Sequence, residues 1–79
     1  MVTPESIESS IRAGLACERV EVIGDGQHFQ AVVVSAAFAG KSRIQRHQLV
    51  YAALGERMRE EVHALSMKTL TPEEAAQGG

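Results

Sequence analysis

Hydrophobic positions along the chain switch period several times, and each switch marks an element. Thr3-Pro4-Glu5 reads as a helix start: a hydroxyl to cap free amides, a proline at the first helical position and an acid at the positive helix end. Ile7, Ile11 and Leu15 then recur every four residues, with Glu8, Ser9 and Arg12 elsewhere, which predicts a half-buried helix ending near Ala16. From Arg19 the period becomes two. Val20 and Val22 share one face and Glu21 takes the other. Gly24-Asp25-Gly26-Gln27 tolerates positive φ, and the valine-rich stretch His28 to Ser35 follows, so the two strands should form an antiparallel hairpin. Phe29, Ala31 and Val33 lie on one side of the second strand. The continuous run Val32-Val33-Val34 predicts a central strand with neighbours on both edges.

Ala36 to Gly40 is a short connection, after which Ser42 caps a helical stretch running to about Glu60. Its expected apolar side is Ile44, Leu49, Val50, Ala53, Leu54 and Met58; its wet side is Arg43, Arg46, Gln48, Arg57 and Arg59. Gly55 should loosen it, and a break near Gln45 would split off a first turn. His63 to Leu70 returns to strand periodicity, with Leu65 and Met67 pointing together. Thr71-Pro72-Glu73-Glu74 matches a capping box and predicts a final helical turn. The order αββα(α)β plus a cap is an α+β fold in which a helical crossover brings the third strand parallel to the second, right-handed. Both strands then start at the same end of the sheet. His28 and His63 are those two starts.

Composition narrows the function. At 79 residues there is room for one small domain, taken as residues 1–74, with 75–79 as a flexible tail, and none for an enclosed two-domain substrate cleft. A single cysteine and no charged-then-apolar leader point to a reducing cytoplasm. The longest mostly apolar stretch, Ala31 to Ala39, is far below the roughly 20 residues of a membrane span. A net charge of −2 exerts no global pull on polyanions, so nucleic-acid contact would need a local basic patch.

Few residues carry chemistry. Cys17 lacks a second cysteine or a metal-ligand spacing and reads as a small buried side chain. Glu21, Asp25 and Glu60 form no recognisable acid–base pair, and no enzyme is expected. Lys41, Arg43, Arg46 and His47 make the one basic cluster, at a helix start behind Gly40, where amide donors and cations suit an anion such as a DNA phosphate. Against DNA stand the net negative charge and the lack of an aromatic stacking platform beyond Phe29, Phe38 and Tyr51. A solvated helix face is the plain alternative.

The segment Phe38-Ala39-Gly40-Lys41-Ser42-Arg43-Ile44-Gln45-Arg46-His47-Gln48-Leu49-Val50, followed by Val62-His63-Ala64-Leu65-Ser66-Met67-Lys68-Thr69-Leu70-Thr71-Pro72-Glu73-Glu74, resembles the BolA family over nearly the whole chain. Gly24 to Phe29 is similar to the short-hairpin bacterial subgroup. One position departs: Ala75 stands where the family usually has tryptophan, which removes the apolar anchor expected of the terminal turn. The resemblance implies a KH-like αββααβ fold and partnership with a monothiol glutaredoxin, the free chain being a monomer or weak homodimer. It also implies a bridging 2Fe-2S cluster, with sulfur ligands from the glutaredoxin cysteine and glutathione. The family's ligand in H-A-L-S falls on His63; a second ligand from the hairpin region is assigned by proximity to His28. Iron–sulfur cluster handling or stress and iron regulation is the implied role, with transcriptional regulation through DNA as the rival.

Overall fold

Thr3 and Ser6 bond each other reciprocally, Ser6 N donating to Thr3 Oγ1 at 3.1 Å and Thr3 N to Ser6 Oγ at 3.0 Å, and this box starts helix α1 (Pro4–Gly14). The computed structural model describes residues 2–58 and 64–78. The positions of Arg59, Glu60 and His63, and the side chains of Arg57 and Met58, lie outside the described residues. The predicted stripe holds: Ile7 and Ile11 are fully buried, and Leu15 packs at the edge of the same core. Strands β1 (Arg19–Gly24) and β2 (Phe29–Val34) pair antiparallel, from Arg19 opposite Val34 to Gly24 opposite Phe29. Strand β3 (Leu65–Leu70) runs parallel to β2, from Phe29 beside Leu65 to Val34 beside Leu70. The order β1-β2-β3 puts the valine-rich strand in the centre, as its unbroken hydrophobicity predicts.

Helix α2 (Arg43–Leu54) opens on a second box. Ser42 Oγ accepts from Gln45 N at 3.2 Å, and Gln45 Oε1 accepts from Ser42 N at 2.9 Å. The predicted break near Gln45 is therefore absent, because Gln45 is the residue that seals the start. α2 ends at Gly55, whose φ of 62° only glycine adopts readily, and a 3-10 turn, Gly55–Met58, follows. Val50 and Leu54 are buried, but Ile44, in the first turn, is 70% exposed and does not join the apolar side. Among the described residues, no helix is long and apolar enough to cross a membrane.

The connection Ala36 to Gly40 holds more structure than its sequence suggests. Ser35 is fully buried; its Oγ donates to Ala16 O at 2.6 Å and accepts from Ala37 N at 3.1 Å, capping a 3-10 turn over Ala36–Phe38. That turn drives Phe38 to zero exposure, among a core of Ile7, Ile11, Val33, Val50 and Leu54. Helix α3 (Pro72–Ala76) is the expected terminal turn, with Thr71 Oγ1 accepting from Glu74 N. It extends through Ala75 and Ala76, and a turn continues to residue 78.

Gly14 lets α1 approach α2 closely: a Cβ there would stand 2.7 Å from Ala53 Cα and 2.8 Å from Ala53 Cβ. Backbone, unlike a side-chain tip, cannot swing aside. Overpacking costs about 1–3 kcal/mol and the gain in helix propensity offsets ~1 kcal/mol of it, so Gly14→Ala is expected to lower the unfolding free energy by up to about 2 kcal/mol. Urea unfolding of the two proteins checks this, and a stabilised variant would show that the helices separate freely.

Candidate functional site

One end of the sheet is organised by a single carboxylate. In the hairpin turn, Asp25 Oδ1 accepts from Gln27 N and His28 N, both at 2.9 Å, and Asp25 N donates to His28 O at 3.2 Å. These amides hold the Asp25 carboxyl below its usual range, with the His28 amide contributing most. The backbone of His28 is thus fixed while its side chain stays exposed beside a shallow depression lined by Ile23, Gly24, Asp25 and Gln30. Ile23 is 66% exposed there and gives the depression an apolar side. The contribution of Asp25 is missed when it is read only as an acid without a catalytic partner. Its signal in the sequence is the Asp-Gly turn pair.

The parallel register carries this end across to β3. Phe29 pairs with Leu65, so the residues just before them, His28 and Ala64, belong to the same end of the sheet. His63, the predicted motif ligand, precedes Ala64 and lies outside the described residues. Cys17 is elsewhere. It precedes Arg19, which pairs with the far end of β2, so the thiol stands at the opposite end from His28. It is half-buried, donates to Leu15 O at 3.2 Å, and burial pushes its pKa up, with nearby Arg12 opposing, so it is no activated nucleophile.

The basic cluster divides in two. Lys41 and Arg43 are exposed, with no ion pair to a described residue. Arg46, expected on the wet side, has a side chain only 14% exposed and is held by four hydrogen bonds. Its Nε donates to Lys41 O at 3.0 Å, its Nη1 to Thr69 O at 3.2 Å and Glu74 Oε1 at 2.7 Å, and its Nη2 to Glu74 Oε2 at 3.3 Å. The guanidinium also lies 5.9 Å from the centre of the Phe38 ring. Helical spacing alone puts Arg46 with the solvent-facing arginines, because it does not reveal the carboxylate on α3. His47 is half-buried and meets Tyr51, one turn on, edge to face with ring centres 6.5 Å apart. Lys68 on β3 is also exposed and borders the same surface as Lys41 and Arg43. Sequence spacing alone could not bring it there.

A family model described as BolA-like protein matches residues 4–74. The chain belongs to the BolA-like family. It is 41% identical to the acid stress protein IbaG of Escherichia coli over 71 residues, covering 89% of this chain and 84% of that protein. It is 33% identical over 84 residues to the DNA-binding transcriptional regulator BolA of the same organism, covering 94% and 80% respectively. Among solved structures, a bolA protein homologue from Coxiella burnetii superposes with a TM-score of 0.84 at 48% identity, covering 96% of this chain and 99% of that one. The α+β arrangement of three helices and a three-stranded mixed sheet is therefore the architecture of BolA proteins.

In this BolA-like chain the terminal helix is fastened by charge. Glu74 takes both Arg46 contacts and also accepts from Thr71 N at 2.8 Å. The arginine bonds first, and the Thr71 amide second, lower its carboxyl from 4.5 to about 2. A carboxylate whose pKa falls on folding stabilises the fold fully above its ordinary pKa and loses that contribution as pH drops toward the folded value. Glu74→Gln should thus lower the thermal midpoint at neutral pH, and the gap from wild type should close between pH 4.5 and about 2. A gap unchanged at the acid end would show that the clamp does not depend on the charge of Glu74.

Proposed function

We propose that this BolA-like chain is a non-enzymatic partner of a monothiol glutaredoxin, carrying a bridging 2Fe-2S cluster as shared cargo through His63 and His28. The observation that carries this reading is the parallel β2–β3 register, which assigns His28 and Ala64, the neighbour of His63, to one end of the sheet. The exposure of His28 on a backbone pinned by Asp25 supports it, because a ligand shared between chains must be both accessible and held. Exposed Ile23 adds apolar surface on which a partner would dock. Two imidazoles supply half of the four ligands that a 2Fe-2S cluster requires, so thiolates must come from the partner and its glutathione. Imidazole ligation of one iron raises the cluster's reduction potential relative to all-thiolate ligation.

Mixing the chain with a monothiol glutaredoxin, ferrous iron, sulfide and glutathione should give a heterodimer with a visible cluster spectrum. His63→Ala is expected to abolish that spectrum or return it to that of the glutaredoxin alone; an unchanged spectrum removes His63 from the ligand set. His28→Ala should shift the charge-transfer bands, and coincidence with wild type removes His28.

Transcriptional regulation through DNA is the second reading. It draws on the relative named a DNA-binding transcriptional regulator and on exposed Lys41, Arg43 and Lys68. With Arg46 occupied, few phosphates are within reach. At about −0.9 per phosphate neutralised, three cations give a log–log salt slope near −3. A titration of duplex binding between low and physiological salt measures it, and a flat response dismisses this reading.

A further inference from the structure

β3 is an edge strand, and the space beside its outer edge is a groove. An open cavity of about 720 Å³ runs between that edge, the start of α2 and α3, with Met67 and Thr69 on one wall and Lys41, Arg43 and Glu74 opposite. Backbone direction along β3 is fixed by two bonds. Leu70 O accepts from Ser35 N, on the side of β2, whereas Thr69 O accepts from Arg46, on the outside. Because neighbouring residues of a strand face opposite sides, Met67 also turns its amide and carbonyl outward, as Thr69 turns its amide. Among the described residues, no hydrogen bond occupies these three groups. An unpaired edge is a template for another strand unless something blunts it. Here Arg46 caps only Thr69 O.

Charge identifies the occupant. Lys41, Arg43 and Lys68 are exposed and unpaired with described residues, while the one acid in the groove, Glu74, is neutralised by its two bonds to Arg46. The groove is thus positive within a chain of net charge −2. Half-buried Met67 lends an apolar, adaptable surface to its floor. Single-stranded nucleic acid is less well served, since both phenylalanines are buried and the one ring in the groove lining, His47, is half-buried and already packed edge to face on Tyr51. We propose that the outer edge of β3 binds an extended acidic peptide segment of a partner protein by strand addition, with Met67 and Thr69 supplying the ladder and Lys41, Arg43 and Lys68 the charge. This site is separate from the His28 end, and it stands whether or not a cluster is shared there.

The test uses the full chain and a capped decapeptide alternating glutamate with valine and threonine, followed by backbone amide NMR. Binding should shift the Met67, Lys68 and Thr69 amides and slow hydrogen exchange at Met67 and Thr69. The same peptide N-methylated at alternate residues loses the backbone donors of one edge without altering the protein; made in both phases, so that each edge is blocked in turn, at least one of the two peptides should not bind. The surface double variant Lys41→Glu, Arg43→Glu should bind about tenfold more weakly, as expected when two rim charges are reversed. Failure of the peptide to bind, indifference to N-methylation, or binding without protection of Met67 and Thr69 would each overturn the proposal. So would a single-stranded oligothymidylate that binds the same amides more tightly than the peptide.

Discussion

The parallel pairing of β2 with β3 is the constraint on which the other features rest. A parallel neighbour needs a long crossover, and that crossover is α2 with its preceding and following turns. Once Phe29 is set beside Leu65, the rest of the register follows, residue by residue, to Val34 beside Leu70. The pairing then determines two surfaces. Its starting end collects the residues before Phe29 and Leu65, and its second strand becomes an edge whose outer side faces α2 and α3.

The far end of that pairing is tied down by polar groups rather than by more core. Ser35, buried in the connection, donates through its backbone to Leu70 O and through its hydroxyl to Ala16 O, joining the ends of β2, β3 and the α1–β1 link. Arg46 continues the fastening outward, to Lys41 O, Thr69 O and Glu74. A guanidinium suits this position because its planar fork satisfies a carboxylate and a carbonyl together, which an ammonium could not do with fixed geometry. This clamp fastens the terminal helix, in which Ala75 offers no large apolar side chain. It also means that proximity of cations in the sequence overstates the charge available to a ligand.

Elements whose signals are local were legible from sequence. The Ile7–Ile11–Leu15 stripe, the alternation in β1, the valine run of the central strand and the Thr71 box all appear in the structure because each is enforced within a few residues. The misreadings share a non-local cause. Ile44 fits the apolar period of α2 yet is 70% exposed, and Arg46 fits the polar period while its partner lies 28 residues away. Ser35 caps the 3-10 turn that buries Phe38 through the nearby Ala37 N, but its second bond, to Ala16 O, reaches 19 residues back, which no local pattern encodes. For the candidate ligand end, sequence supplied topology and the His28 position; the role of Asp25 in fixing that histidine's backbone needed the hydrogen bonds.

The two surfaces lie along one strand. From Leu65 to Leu70 is five strand steps, or about 16 Å at ~3.3 Å per residue, and the groove begins at Met67, two steps from the Phe29–Leu65 end. Exposed charges separated by more than roughly 8 Å are largely screened at physiological ionic strength, so direct electrostatic influence between the two ends of the strand is weak. Any coupling between the two would have to travel through the position or pairing of β3 itself, because that strand is the one element both surfaces share.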